Sequence, residues 1–139
     1  MNTYSYADLF IGQTEAFSVT ITDEMMESFN RISGDVNPMH LSDDYAKTHG
    51  FSGRIVYGML TASFYSTLAG VYLPGERCLL QEVHTEFSTP VYVDDTLTVT
   101  GEITEKLDAY KRVTVKARIK NQDGKTVSKA KVKAGVRFE

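Results

Sequence analysis

The chain changes its hydrophobic period near the middle. Residues 22–73 carry apolar side chains at helical spacing, whereas residues 79–138 alternate with a period of two. A short alternating segment, Glu15 to Ile21, precedes both and predicts an opening strand, with Phe17, Val19 and Ile21 set against Ser18 and Thr20. Thr22-Asp23-Glu24 then reads as a helix start. The threonine can cap free amides, and the acids suit the positive end of the helix dipole. Met25, Met26, Phe29 and Ile32 form the stripe that this helix should bury, and Gly34 should end it. Pro38 lacks an amide proton and biases Asn37 away from helical backbone, so residues 35–40 interrupt the helix. Ser42-Asp43-Asp44 predicts a short helix through Lys47, and Gly50-Phe51-Ser52-Gly53 a loop. From about Tyr57 a long helix should turn Met59, Leu60, Phe64, Leu68, Val71 and Tyr72 inward and stop at Leu73-Pro74-Gly75. It is apolar or small nearly all round, which suits an element enclosed by others.

The second half supplies the enclosure. Val83, Thr85 and Phe87 share one strand face, and Leu97, Val99 and Ile103 share the next. Val113, Val115, Ala117 and Ile119 alternate with Arg112, Thr114, Lys116, Arg118 and Lys120. After the turn signal Asn121-Gln122-Asp123-Gly124, the residues Ala130, Val132, Ala134, Val136 and Phe138 alternate with Lys129, Lys131, Lys133 and Arg137. Each strand thus has an apolar and a polar face, as in an antiparallel sheet packed on one side and wet on the other. The fold class expected is α+β, a curved antiparallel sheet around a central helix at 57–73.

Length and charge narrow the functions. A chain of 139 residues fits one domain, 1–139, and no repeat or linker divides it. Fifteen basic and eighteen acidic residues leave a net charge of −3, which gives no general reason to expect nucleic acid or an acidic membrane surface as partner. The most apolar stretch, Gly58 to Leu73, is shorter than the ~18 residues a spanning helix needs and is broken by Thr61, Ser63, Ser66 and Thr67. Met1 to Tyr6 lacks the basic and apolar regions of a secretory signal, and Cys78 has no thiol to pair with. A reducing cytoplasm is therefore the expected compartment.

The chemistry concentrates in Ser33-Gly34-Asp35-Val36-Asn37-Pro38-Met39-His40, which holds a carboxylate, an amide and an imidazole within six residues. A loop framed by glycine and proline can aim Asp35 and His40 into one cavity, as a general acid and base require. The same residues also read as a side-chain-capped turn with a satisfied histidine, and spacing alone does not separate the two.

Three blocks in order carry a family resemblance. Ser33 to His40, with Ala46 at a later small position, resembles the signature of the MaoC-like, (R)-specific enoyl-CoA hydratases. Arg54-Ile55-Val56-Tyr57-Gly58-Met59-Leu60-Thr61-Ala62-Ser63 resembles that family's entry to its central helix, and Phe87-Ser88-Thr89-Pro90-Val91-Tyr92-Val93-Asp94-Asp95 its later Pro-Val block and acidic turn. The resemblance covers almost the whole chain. It implies a hot-dog fold, a homodimer or double hot-dog with acyl tunnels near the subunit interface, and interconversion of trans-2-enoyl and (R)-3-hydroxyacyl thioesters. By position it assigns Asp35 and His40 as the catalytic pair, Asn37 as an orienting residue and the Gly58 amide as oxyanion donor. Ser66 matches a serine near the reacting centre, with Ser63 as a neighbouring candidate, and Tyr57 and Met59 join Ser63 as expected substrate contacts. Tyr57 departs from the pattern, which often has histidine there, so the pocket wall and substrate range are expected to differ.

No cofactor is expected, since coenzyme A or an acyl carrier protein enters as part of the substrate. No metal is expected either, because His40, His49 and His84 show no ligand spacing. His49 reads as a surface residue and His84 as part of a wet strand face with Glu82 and Glu86. Lys129, Lys131, Lys133 and Arg137 read as a wet strand face rather than a phosphate or carrier-protein site, and Cys78 has no neighbouring base to make it a nucleophile. A thioesterase on the same fold and a non-catalytic acyl-thioester-binding or assembly subunit are the competing functions. The second would not need both Asp35 and His40.

Overall fold

In the computed structural model, which describes residues 1–138, an antiparallel sheet holds five strands. They are β1 (Thr14–Thr20), β2 (Cys78–Phe87), β3 (Thr96–Leu107), β4 (Arg112–Lys120) and β5 (Thr126–Val136), in the order β1-β3-β4-β5-β2. The helices are α1 (Asp23–Ser33), α2 (Pro38–Leu41), α3 (Asp43–Thr48) and α4 (Gly58–Thr67), the last extended by a π-helical turn over Leu68–Tyr72. Short 3₁₀ turns lie at Tyr6–Asp8 and Asp108–Tyr110. The alternation sets the sheet's two faces. Leu97, Val99, Ile103, Val113, Val115, Ile119 and Val132 are buried against Tyr65 and Leu68 of the helix, in one core cluster. Burying each such side chain stabilises the fold by roughly 1.5–3 kcal/mol. Tyr65 brings a polar atom into this core and satisfies it on Ser128 (2.8 Å), which in turn meets Thr85 (3.1 Å). This is the hot-dog arrangement that the sequence predicts.

The turn between β4 and β5 closes where expected. Asn121 Oδ1 accepts from the amides of Asp123 (3.0 Å) and Lys125 (3.1 Å), and Gly124 takes the left-handed φ of 73°. On the outer sheet face Lys133 pairs with Glu82 (3.1 Å), while Lys129 stands opposite Glu86 and Lys131 opposite His84. Among the described residues no helix is long and apolar enough to cross a membrane.

Several expected core positions are not in the core. Ile32 is 82% exposed, because it falls in the last turn of α1, where no other element covers it, while Met26 is buried one and a half turns earlier. Met59 is 63% exposed, and Ser63 and Ser66 share its open side of α4, so a single chain covers the helix incompletely. Val83 and Phe87 face the intended side of β2 yet are exposed, because β2 is an edge strand. Phe138 is 83% exposed, since β5 ends at Val136.

Candidate active site

Local capping builds the loop between α1 and α2. Thr22 Oγ1 accepts from the Met25 amide (3.2 Å) to start α1, and Gly34, at φ 70°, ends it by donating to the Asn30 carbonyl (2.8 Å). Asp35 Oδ1 then accepts from the Asn37 amide (3.0 Å), an Asx turn that leaves Oδ2 free. Asn37 Oδ1 caps α2 by accepting from the Met39 amide (2.9 Å), and Pro38 sits at the first helical position, where no amide proton is needed. Both features of the turn reading are thus present, and they aim the two side chains rather than consume them.

α2 delivers His40 to the start of the next segment. Met39 O accepts from the Ile55 amide (3.0 Å), and His40 Nδ1 lies 2.7 Å from Ile55 O. A carbonyl only accepts, so the proton of that bond resides on Nδ1. His40 Nε2 is left to face Asp35 Oδ2 at 4.0 Å. That separation is too long for a direct hydrogen bond and suits a small hydroxylic group held between the two.

Residues 54–57 lead into α4 and are pinned from the other side. The Val56 amide donates to Val91 O (2.8 Å), and Ile55 bridges to Tyr92. Leu60 and Thr61 both donate to Tyr57 O (3.1 and 3.2 Å), so the Gly58 amide precedes the helix's internal bonds and stands at its positive end. A Cβ at residue 58 would lie 3.3 Å from the Phe87 ring, so glycine keeps this mouth open. His40, Gly58, Thr61, Phe87, Val91 and Val127 line a cavity of about 420 Å³. Of the acid–base pair, His40 thus lines a mostly apolar cavity whose wall also includes Gly58 at the helix terminus, while Asp35 stands behind His40 and off that wall. A larger hollow of about 1030 Å³ lies on the outer sheet face among Lys116, Arg118, Lys129, Lys131, Glu86 and Glu102. It is a trough of strand side chains, and neither Asp35, His40 nor Gly58 reaches it.

The structure brings Asp35 to His40, and His40 to Gly58 in one cavity wall, with Asn37 capping the short helix that carries His40. Tyr57, named among the expected substrate contacts, is a buried core residue. It is 2% exposed and absent from the cavity wall, with its hydroxyl donating to Asp35 O (3.0 Å). Met59, Ser63 and Ser66 also lie off that wall, on the open side of α4, and Ser63 Oγ is occupied by Leu60 O (2.6 Å). Thr61 and Val127 escaped the sequence reading. Thr61 sits one turn beyond Gly58 and donates to its carbonyl (2.6 Å), a signal that helical spacing could have given. Val127 reaches the cavity only through the sheet. His49 stacks on Tyr45 (4.3 Å) and His84 lies on the outer sheet face, so the three histidines stand apart.

Burial pushes the Cys78 thiol up to about 11. At pH 8 almost none of it is thiolate, and iodoacetamide should label it far more slowly in the folded protein than in urea. Equal labelling rates by mass spectrometry would contradict this environment.

Comparison with known proteins places these observations. The family model described as MaoC like domain matches residues 10–125. An (R)-specific enoyl-CoA hydratase of Rhodospirillum rubrum is 36% identical over 109 residues, covering 78% of this chain and 76% of its own. One from Aeromonas caviae is 34% identical over 120 residues, covering 86% and 90%. The solved (R)-hydratase of Pseudomonas aeruginosa, in its unliganded form, superposes with a TM-score of 0.91 at 34% identity over 97% of this chain and 86% of that one.

Proposed function

The chain belongs to the MaoC-like domain family and is a hydro-lyase, and we propose that it interconverts trans-2-enoyl and (R)-3-hydroxyacyl thioesters by means of Asp35 and His40. The observation that carries the assignment of residues is the facing of Asp35 Oδ2 and His40 Nε2, beside a cavity that His40 shares with the Gly58 amide.

In the hydration direction, the thioester carbonyl lies against Gly58 N–H and the water lies between Asp35 and His40, about 2.8 Å from each. As the water oxygen bonds to C3, the pair removes one of its protons. The C2–C3 π electrons pass into the thioester, whose oxygen becomes enolate-like. The Gly58 amide stabilises that charge with the help of the α4 dipole, an arrangement typically worth ~3 kcal/mol of barrier. The pair then returns a proton to C2 from the same side, so addition is syn and both groups regain their starting protonation. Dehydration is the reverse over the same transition state. No step calls for a redox group, and coenzyme A or a carrier protein enters only as the thiol part of the substrate.

A second copy of the chain completes the proposed assembly, a homodimer. β2 presents an unpaired edge along which Leu79, Leu80, Val83 and Phe87 are exposed. Phe87 belongs both to this edge and to the cavity wall, so a partner seated on the edge would also narrow the site. Val83→Lys should shift the mass measured by light scattering from two chains to one and lower turnover. A wild-type monomer of full activity would refute the dimer.

The central test follows the loss of enoyl absorbance from crotonyl-CoA and a longer enoyl-CoA, with chiral identification of the product. Release of free thiol from acyl-CoA without hydration would overturn the proposal in favour of a thioesterase.

A further inference from the structure

Tyr57 is the residue through which the three proposed catalytic groups are joined. Its ring is buried between Phe29 of α1 (centroids 4.9 Å) and His40 of α2 (4.2 Å). Its hydroxyl donates to Asp35 O (3.0 Å) and accepts from Asn30 Nδ2 (3.1 Å). Asn30 Nδ2 also donates to Asp35 O (2.8 Å), so a phenol and an amide converge on one carbonyl. The same residue begins α4: its carbonyl accepts from Leu60 and Thr61, and the next amide is that of Gly58.

The remaining hydrogen bonds of Asp35 are local, running to Ser33 and Asn37 within an exposed loop. Local bonds fix the shape of such a loop but not its place relative to α4. The carbonyl contact with Tyr57 and Asn30 supplies that second constraint, and the ring of Tyr57 limits the tilt of His40. We propose that Tyr57 and Asn30 are positioning residues, which together hold the Asp35–His40 pair at a fixed distance from the Gly58 amide. This builds on the hydratase reading of the site. Neither side chain lines the cavity, and both act on the pair through the Asp35 carbonyl, with the Tyr57 ring also against His40.

Loss of this link should act on turnover more than on binding, because small displacements of reacting groups are costly while the cavity is unchanged. Tyr57→Phe keeps the ring and removes only the hydroxyl, and Asn30→Ala removes the second donor. Each should lower kcat for crotonyl-CoA roughly 10-fold with KM within about twofold, and leave the limbs of the pH profile in place. Combined with Asp35→Asn, Tyr57→Phe should cost little further, because the group it positions is already disabled.

A readout independent of catalysis is amide hydrogen exchange at Ile55, whose N–H donates to Met39 O (3.0 Å) between α2 and the segment leading into α4. It should accelerate about 10-fold in both variants. Wild-type kcat together with wild-type exchange in folded Tyr57→Phe and Asn30→Ala would overturn the positioning role while leaving the hydratase reading intact. Should Tyr57→Phe fail to fold, Asn30→Ala decides alone. A wild-type chain without hydration activity would instead sink the hydratase reading, and the exchange rates would then decide whether the link holds the loop.

Discussion

Asp35→Asn and His40→Ala should each lower hydration turnover by at least about 10²-fold, and by up to ~10⁴-fold, while the protein stays folded. The two energy scales involved decide the case. Losses of this size correspond to roughly 3–5 kcal/mol of transition-state stabilisation. The structural bonds at risk are weaker. Asp35 is exposed, and asparagine keeps an oxygen able to accept from the Asn37 amide. His40→Ala removes the bond from Nδ1 to Ile55 O and a ring contact with Tyr57, a net loss of about 1 kcal/mol for the hydrogen bond. Thermal melts should therefore move by a few degrees while kcat falls by orders of magnitude. Because the pair acts on one water, the double variant should be scarcely slower than the worse single one. Near-normal kcat in both purified single variants would remove the two residues from the mechanism and return them to the capped turn that the sequence also allows.

The sheet was legible because its strands need one wet face, and alternation records that requirement directly. The ends of α1 were legible because Thr22 and Gly34 carry their own capping chemistry, whereas the short α2, started by Asn37 and Pro38 inside the stretch read as an interruption, was not. What escaped depends on cover supplied from elsewhere. Met59, Ile32 and Phe138 are apolar residues at sound helical or strand spacing, yet the described residues leave them largely uncovered. Periodicity says which way a side chain points and not what it meets. The site divides in the same way. Asp35 and His40 lie close in sequence, and their mutual aim follows from local turns. The cavity that His40 lines needs Phe87 and Val127, which arrive through the end of β2 and the start of β5. Asn30 gave no signal at all, since a helical asparagine reads as a wet residue until Tyr57 is folded against it. Tyr57, the residue that departs from the family pattern, is buried against His40 with its hydroxyl on the Asp35 carbonyl.

Leu68→Ala should destabilise the protein by about 2–5 kcal/mol, and Gly101→Ala should partly restore it. Leu68 lies just past the α-helical part of α4 and is 1% exposed. A Cβ built on Gly101, in the middle of β3, would lie 2.7 Å from Leu68 Cδ2 and 2.8 Å from Val115 Cγ1. Glycine inside a strand ordinarily costs roughly 0.5–1 kcal/mol relative to alanine, so backbone preference alone favours Gly101→Ala. Overpacking in a closed core costs about 1–3 kcal/mol and should prevail in the wild-type background, making the single change unfavourable. Removing the leucine methyls vacates one of the two clashing positions, and the new methyl enters the space they leave. The double variant should then be more stable than the sum of the single effects predicts by at least ~1 kcal/mol, a coupling that residues in contact show and distant ones do not. In melting temperature, Leu68→Ala should lose roughly 8 °C or more and the second change should recover several degrees. Strict additivity would mean that the helix is not seated on this glycine. The same seat fixes the axis of α4, and with it the place of the Gly58 amide relative to His40. Turnover should therefore recover alongside stability in the double variant.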